Sequence, residues 1–464
     1  MKRSFKRSLF LLLLACAMAA GFLEGRALNT GASRRPGSHS LSRILSLNAG
    51  LGENGAPAAT DGTSDVPPAE VFESVLDHVQ HEFVENGNHL SDARLTDGAL
   101  ARMLASLEDP KTNYLEPELR QARQDELQGH FHGIGAALTV VKTHKLDVDY
   151  NYLTVVAVMP NSPAEKAGLK TGDHITEVNG HWVIAYPVLA DYDRILREVK
   201  DEGKRRDAED EADKKHSRGY SVVRALSALS IGEGKTVQLT LERAGQAAPQ
   251  KLALTTARTE VAPVTFRQLP HRIGYLGVRQ FNMRAATDIK AALSQLGADS
   301  RGLILDLRSN PGGVRTAAKA DADGYNAALS LLGAFTRRGT TLAQIERTPN
   351  HREPLKLNEN GSPLSLPLVV LVDQGTANLG EMVAAALRDT AHAKVIGTPT
   401  FGDDTLLFFA VLKSGGGIEM SSAHLYTASG MDLSRGVQPD MLANPGNDPA
   451  VDAALQRALR ALGA

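Results

Sequence analysis

The chain has a single cysteine, Cys16, among 464 residues. One thiol can close no internal disulfide and cannot build a thiolate metal site. Surplus charge is missing as well: 51 Lys and Arg face 53 Asp and Glu, a formal net charge of −2, which leaves no electrostatic footprint for nucleic acid. The N-terminal apolar stretch, Leu9–Phe22, is shorter than the ~20 residues of a membrane span. Phosphate loops, HExxH helices and dinucleotide fingerprints do not occur. His130 and His132 could share one side of a strand as metal ligands would, but no third ligand accompanies them, so neither a metal nor another cofactor is expected.

What is there is ordinary for a soluble globular protein, 42% apolar and 22% charged, with room for about three domains at ~150 residues each. The first residues read as a targeting segment. Lys2, Arg3, Lys6 and Arg7 are followed by apolar Leu9–Ala15 and by small residues at Ala17-Met18-Ala19. Leu13-Leu14-Ala15-Cys16 also resembles a lipoprotein cleavage box, in which Cys16 would be lipidated. Leu14 fits that pattern less well than Ala or Ser, so ordinary secretion is favoured. Either route gives an exported protein of the periplasm or cell envelope, touching the membrane only through a lipid anchor.

Residues 23–69, rich in Gly, Ala, Ser, Asn and Pro, read as a flexible linker. Val71, Val75, Val79 and Phe83 then recur at helical spacing, and a second helical run covers Leu100–Leu107. Further on, Val155–Val158 and Thr236–Glu242 read as strands, the second closing a module. Between them, 187–219 is a charged stretch in which Asp210-Glu211 precede Lys214-Lys215 at helical spacing, the signature of a solvated helical insertion. It reads either as a partner arm or as a tolerated surface excursion. Gly302–Arg308 and Leu368–Val372 are continuous apolar strands, the kind buried on both faces. Asp448 and Pro449 are placed to cap and start a last helix with the stripe Val451, Leu455, Leu459 and Leu462.

The stretch that organises the chain is Pro367–Leu407. A buried strand, a tight turn at Gly375 and an Ala-rich helix containing Glu381–Arg388 would lift side chains out of a sheet, as a nucleophile requires. Gly375-Thr376-Ala377, Glu381 and Thr400-Phe401-Gly402 resemble the active-site motifs of the C-terminal processing (tail-specific) serine proteases. Those enzymes pair a PDZ domain with a Ser–Lys core. Their pattern is Gly-Ser/Thr-Ala-Ser-Ala-Ser-Glu, later Thr-Phe-Gly-Lys-Gly-x-x-Gln. The resemblance places the nucleophile at position 378, the general base at 403 and the glutamine that orients it at 407. This sequence has Asn378, Asp403 and Leu407 there, with the Ser-to-Lys spacing kept at 403 − 378 = 25.

A Ser–Lys dyad needs a hydroxyl and a neutral amine. A carboxamide and a carboxylate supply neither. Asp403 and Asp404, as neighbours in a strand, would point to opposite faces and share no water. Thr376 and Ser309 are spare hydroxyls with no Lys or His placed beside them by spacing.

The resemblance extends over about residues 70–464. Phe131-His132-Gly133-Ile134-Gly135-Ala136, Asn161–Asp173 and Ile175–Gly180 resemble a protease-associated PDZ domain. There Gly133, Ile134, Gly135 and Ala136 would turn N–H groups toward a peptide's terminal carboxylate beside a helix at Val222–Leu229, the peptide adding as a strand to the sheet edge. Asn310-Pro311-Gly312-Gly313 resembles the turn whose glycine amides help form the family's oxyanion hole, so Gly312 and Gly313 are the oxyanion-type residues. Glu108–Tyr114 resembles a Leu-Asp-Pro-x-Ser-x-Tyr turn and is taken as packing.

The expected class is therefore α/β multidomain. It comprises a signal segment 1–22, linker 23–69, N-terminal helical region 70–128, PDZ-like β domain 129–262, crotonase/ClpP-like protease core 263–445 and C-terminal helix 446–464. The expected function is a non-catalytic, exported binder of polypeptide C-termini or peptides. Two alternatives stay open: proteolysis through another nucleophile, and a regulatory subunit of an active relative or homo-oligomer.

Overall fold

A computed structural model describes residues 66–83, 91–145, 148–184, 195–316, 323–358, 363–444 and 451–464. Cys16, the targeting segment, nearly all of the linker, the first part of the charged insertion, and Asp448 and Pro449 lie outside these residues. Met1–Asp77 and His78–Ala464 are separate units. Helix α1 (Pro68–Glu82) begins in the first and buries none of its residues. No helix among the described residues is long and apolar enough to cross a membrane.

Helix α2 (Asp92–Ala105) starts at Ser91, whose Oγ accepts the Arg94 N–H. It ends two residues before the predicted Leu107. A turn leads to strand β1 (Asn113–Leu115) and helix α3 (Pro117–Glu126), which has Pro at its first position.

The second module opens with β2 (His130–Phe131), β3 (Ala136–Lys145), β4 (Val148–Val158), α4 (Pro163–Lys166), β5 (His174–Val178) and β6 (His181–Trp182). The charged helix α5 (Glu202–Arg218), α6 (Val222–Ser230), β7 (Thr236–Glu242), β8 (Gln250–Thr255) and β9 (Thr259–Glu260) follow. The sheet runs β3-β4-β5-β7-β8, antiparallel throughout, with β6 on β5. Its apolar face, including Leu153, Val155, Leu239 and Leu241, packs on Ala225 and Leu229 of α6. Thr236–Glu242 does not close the module: β8 adds beside it, because Leu252 and Leu254 carry the same buried face one strand further. Strand β9 then pairs with β2, so the chain enters and leaves the module side by side. Strand β3 is a sheet edge.

The core contains β10 (Val264–Leu269), β11 (Ile273–Val278), α7 (Ala285–Ser294), β12 (Gly302–Asp306), β13 (Arg315–Thr316), α8 (Gly324–Gly333), β14 (Thr341–Thr348) and β15 (His351–Lys356). It continues with β16 (Leu368–Val372), α9 (Leu379–Ala391), β17 (Lys394–Gly397), β18 (Thr405–Val411), β19 (Gly417–Thr427), β20 (Met441–Leu442) and α10 (Ala453–Ala461). One sheet, β10-β11-β12-β16-β17-β20, is parallel except at its β10 edge. Side chains alternate across it: Leu303, Leu305, Val370 and Val372 meet α7, α8 and α9, while Ile304, Val369 and Leu371 meet α10. Burial on both faces is why these strands read as unbroken apolar runs. The second sheet, β13-β18-β19-β14-β15 with β1 on β19, covers the outer side of α9.

The last helix begins at Ala453, capped by Asp452, whose Oδ1 accepts the Leu455 N–H. Val451 and Asp452 are not helical, so the start lies beyond the predicted Asp448-Pro449. Asp452 does a second job. Its carboxylate takes two bonds of 2.9 Å from the Arg308 guanidinium, which also grips Asp306 at the end of β12. Burial pushes Asp306 up, but the bonds and charge of Arg308 and the Tyr275 hydroxyl bring its net pKa below the usual carboxylate range. Arg308→Met leaves Asp306, its side chain 1% exposed, as a buried charge without its cation. The expected cost is about 3–5 kcal/mol in denaturant unfolding.

Candidate functional site

Where β16 ends, Asp373 closes the turn. Its Oδ1 accepts the N–H of Gly375 (2.9 Å) and of Ser309 (2.8 Å). Both spare hydroxyls are used in that frame: Thr376 Oγ1 donates to the Leu307 carbonyl at 2.8 Å, and Ser309 Oγ donates to Asp373 Oδ2 at 3.3 Å. Ala377 is buried against Val156 and Met159 of the PDZ-like module, which therefore packs on the turn itself.

Asn378 is the N-cap of α9, at φ 52° and ψ −117°. This is an uncommon conformation for a residue with a Cβ, costing on the order of 1–3 kcal/mol, and it is held by the surroundings. Gly312, at φ 91°, lies directly against it: a Cβ on Gly312 would come within 2.6 Å of the Asn378 Cβ. Asn378 Nδ2 donates to the Thr405 carbonyl, while its buried Oδ1 has no hydrogen-bond partner.

Glu381, fully buried one turn into α9, ties the two motifs together. Its carboxylate accepts the N–H of Asn378 (2.9 Å), Gly402 (2.7 Å) and Asp403 (2.8 Å) and the hydroxyl of Thr400. Burial raises its pKa to about 8 against the pull of these donors.

Position 403 carries an ion pair. Asp403 Oδ1 lies 2.8 Å from Lys111 Nζ, with the two side chains 10% and 17% exposed. Lys111 comes from the turn before β1, so this turn contributes a charge as well as packing. That turn is fixed by Asp109, which accepts the Lys111 N–H at 3.1 Å and the Thr112 hydroxyl. Lys111 Nζ also donates to Thr405 Oγ1 at 3.0 Å. The signal that could have found Lys111 was the acid itself: a carboxylate in a lysine's buried seat calls for a cation from elsewhere.

Asp403 and Asp404 do not form a dyad, but the predicted reason needs correction. They lie in the loop before β18, not within a strand, and they separate because each has its own partner. Asp404 Oδ2 meets His424 Nδ1 at 2.9 Å. Leu407, on β18, packs with Leu115, Leu119 and Phe409.

The Gly312 N–H donates to Asn310 Oδ1 at 2.8 Å, so that amide is spent within its own turn. In the glycine loop of the PDZ-like module, Gly133 and Gly135 do adopt positive φ, but the Ile134 N–H donates to the Leu229 carbonyl at 2.9 Å. The His132 ring meets Asp125 Oδ2 at 3.0 Å. No cluster of three metal-ligating side chains occurs among the described residues.

A cleft of about 100 Å³ joins the modules. The edge strand β3 (Ala136, Leu138, Val140) and α6 (Leu226) form one side, and α3, Lys111 and Leu407 form the other.

Comparison with known proteins gives this geometry a family. Residues 272–443 match the peptidase family S41 and residues 154–205 match a PDZ domain. The chloroplastic C-terminal processing peptidase of Tetradesmus obliquus is 30% identical over 367 residues, covering 75% of this chain and 68% of that protein. The carboxy-terminal processing protease CtpA of Bacillus subtilis is 27% identical, covering 76% of this chain. This chain spans 64% of the Bacillus relative's length, less than two thirds. Among solved structures, the photosystem II D1 C-terminal processing protease superposes with a TM-score of 0.58 at 24% identity, covering 86% of this chain and 98% of that one, a likeness of fold.

Two measurements check the site. Lys111→Met leaves Asp403 unpaired and is expected to destabilise the protein by about 2–4 kcal/mol, with Lys111→Met/Asp403→Leu recovering most of the loss. A folded-state pKa raised above the unfolded value stabilises at low pH, so Glu381 should cost stability as pH rises from about 5 to 8. Glu381→Gln should flatten that dependence in denaturant titrations.

Proposed function

The chain belongs to peptidase family S41, and from that premise we propose that it is a member without peptidase activity, which holds polypeptides instead of cutting them. The Lys111–Asp403 ion pair carries the reading. A lysine general base needs an amine free to take a proton from its nucleophile, whereas Lys111 Nζ is engaged by a carboxylate at 2.8 Å. At position 378 a carboxamide replaces the hydroxyl, and its unpartnered Oδ1 suits a site that accepts an N–H better than one that attacks a carbonyl. The PDZ-like module, with an open sheet edge at β3, supplies the means of holding an extended peptide. The targeting pattern at the N-terminus supports work outside the cytoplasm.

One observation favours a second reading. Thr405 Oγ1 is 3.0 Å from Lys111 Nζ, a hydroxyl beside an amine. Against it stand the burial of Thr405, 5% exposed, and the engagement of the amine by Asp403.

The test is incubation of the purified chain with an unstructured polypeptide and with a fluorophosphonate label. Neither cleavage nor labelling is expected. Cleavage accompanied by label on Thr405, both lost in Thr405→Val, would establish the second reading. Rebuilding the site with Asn378→Ser, Asp403→Lys and Leu407→Gln is expected to give no hydrolysis, because the introduced ammonium would meet that of Lys111. Adding Lys111→Ser removes that repulsion and is the step expected to bring hydrolysis back.

A further inference from the structure

The groove between β3 and α6 faces α3, Lys111 and Leu407 across the cleft, and its end is unsuited to a carboxylate. The Ile134 N–H, which a terminal carboxylate would need, is committed to the Leu229 carbonyl at 2.9 Å. Gly133 lies so close to the same carbonyl that a Cβ there would come within 1.9 Å of it. The loop is thus seated on the C-terminal end of α6, where carbonyl groups concentrate partial negative charge.

Side chains add to that charge. His132 stands between Asp125 at 3.0 Å and Glu233 at 3.6 Å. Arg123, lining the cleft, is engaged by Glu126 at 2.8 Å and Glu419 at 2.7 Å, and Lys111 by Asp403. Counted together, five carboxylates stand against Arg123, Lys111 and His132, each of which is already engaged. A peptide's free carboxylate would enter against this field.

An extended segment that does not end at the loop meets no such obstacle. Met159 N–H bonds the Gly135 carbonyl while Ala136 pairs with Val158, a register that turns the Ala136 N–H away from β4 and toward the open edge. Beyond it, Leu138, Val140 and Leu226 offer an apolar wall that continues to Leu407 in the core.

We infer that this cleft takes an internal, extended polypeptide segment with apolar side chains at alternate positions and Lys or Arg between them, and that it does not read a free C-terminus. The inference rests on the proposed peptide-holding function and names the class of peptide. Binding adds a strand to β3 through backbone hydrogen bonds, the apolar side chains lie on Leu138 and Leu226, and the basic ones meet the acidic rim.

The experiment uses the full chain and synthetic peptides of about ten residues, strand length, alternating Val or Leu with Lys. Each is made as free acid, as C-terminal amide, and with Glu in place of Lys. Acid and amide are expected to bind within about twofold of one another, and the Glu series about tenfold or more weaker, a difference of roughly 1.4 kcal/mol. Hydrogen exchange should slow at the β3 amides on binding, and Leu138→Gln should weaken the amide peptide while leaving the thermal transition in place. Should Leu138→Gln prove unfolded, protection of β3 in the native chain decides alone. Binding lost on amidation would overturn this inference and leave the peptide-holding function standing. Failure of every peptide, acid, amide, basic or acidic, would overturn both.

Discussion

Glu381 is the interaction on which the rest of the site depends. A single buried carboxyl receives the N–H of residue 378, at the head of α9, and those of 402 and 403, in the loop ahead of β18. The helix rises from one core sheet and the loop leads into the other, so this group sets the separation of the two layers where the chemistry of a peptidase would sit. Burying an acid is unfavourable unless donors surround it, and here four do. The frame therefore survives independently of what stands at 378 and 403. The scaffold can fold around Asn378 and Asp403 because the donors to Glu381 at these positions are backbone N–H groups.

The buried carboxylate at 403 is not a bare charge. Lys111 reaches Asp403 from 292 residues earlier in the chain, and the turn that carries it is tied down at Asp109 and, through Thr112 Oγ1, at the Ser421 N–H. An ion pair of this kind leaves neither charge of the loop ahead of β18 bare.

How much of this could be read from the sequence depends on how local each signal is. The buried strands β12 and β16 were legible because both of their faces are covered, so apolar residues run without interruption. Asn378, Asp403 and Leu407 were legible as positions because the surrounding motif kept its spacing. Lys111 was not, since nothing near residue 111 announces an acid so far along the chain. Likewise Gly312 and Ile134 have the residue types of amide donors, but whether an N–H is free is decided by a neighbour, Asn310 Oδ1 in one case and the Leu229 carbonyl in the other. The start of α10 was misplaced because Asp448 and Asp452 are both good caps, and the choice fell to the one that Arg308 also holds.

That grip has a mechanical side. Arg308 immediately precedes the turn of Ser309, Asn310, Pro311 and Gly312, and its guanidinium is clamped between the end of β12 and the head of the final helix. Helix α10 thus serves as a buttress for the loop that lies against Asn378. Loosening its first turn would slacken a structure more than a hundred positions upstream.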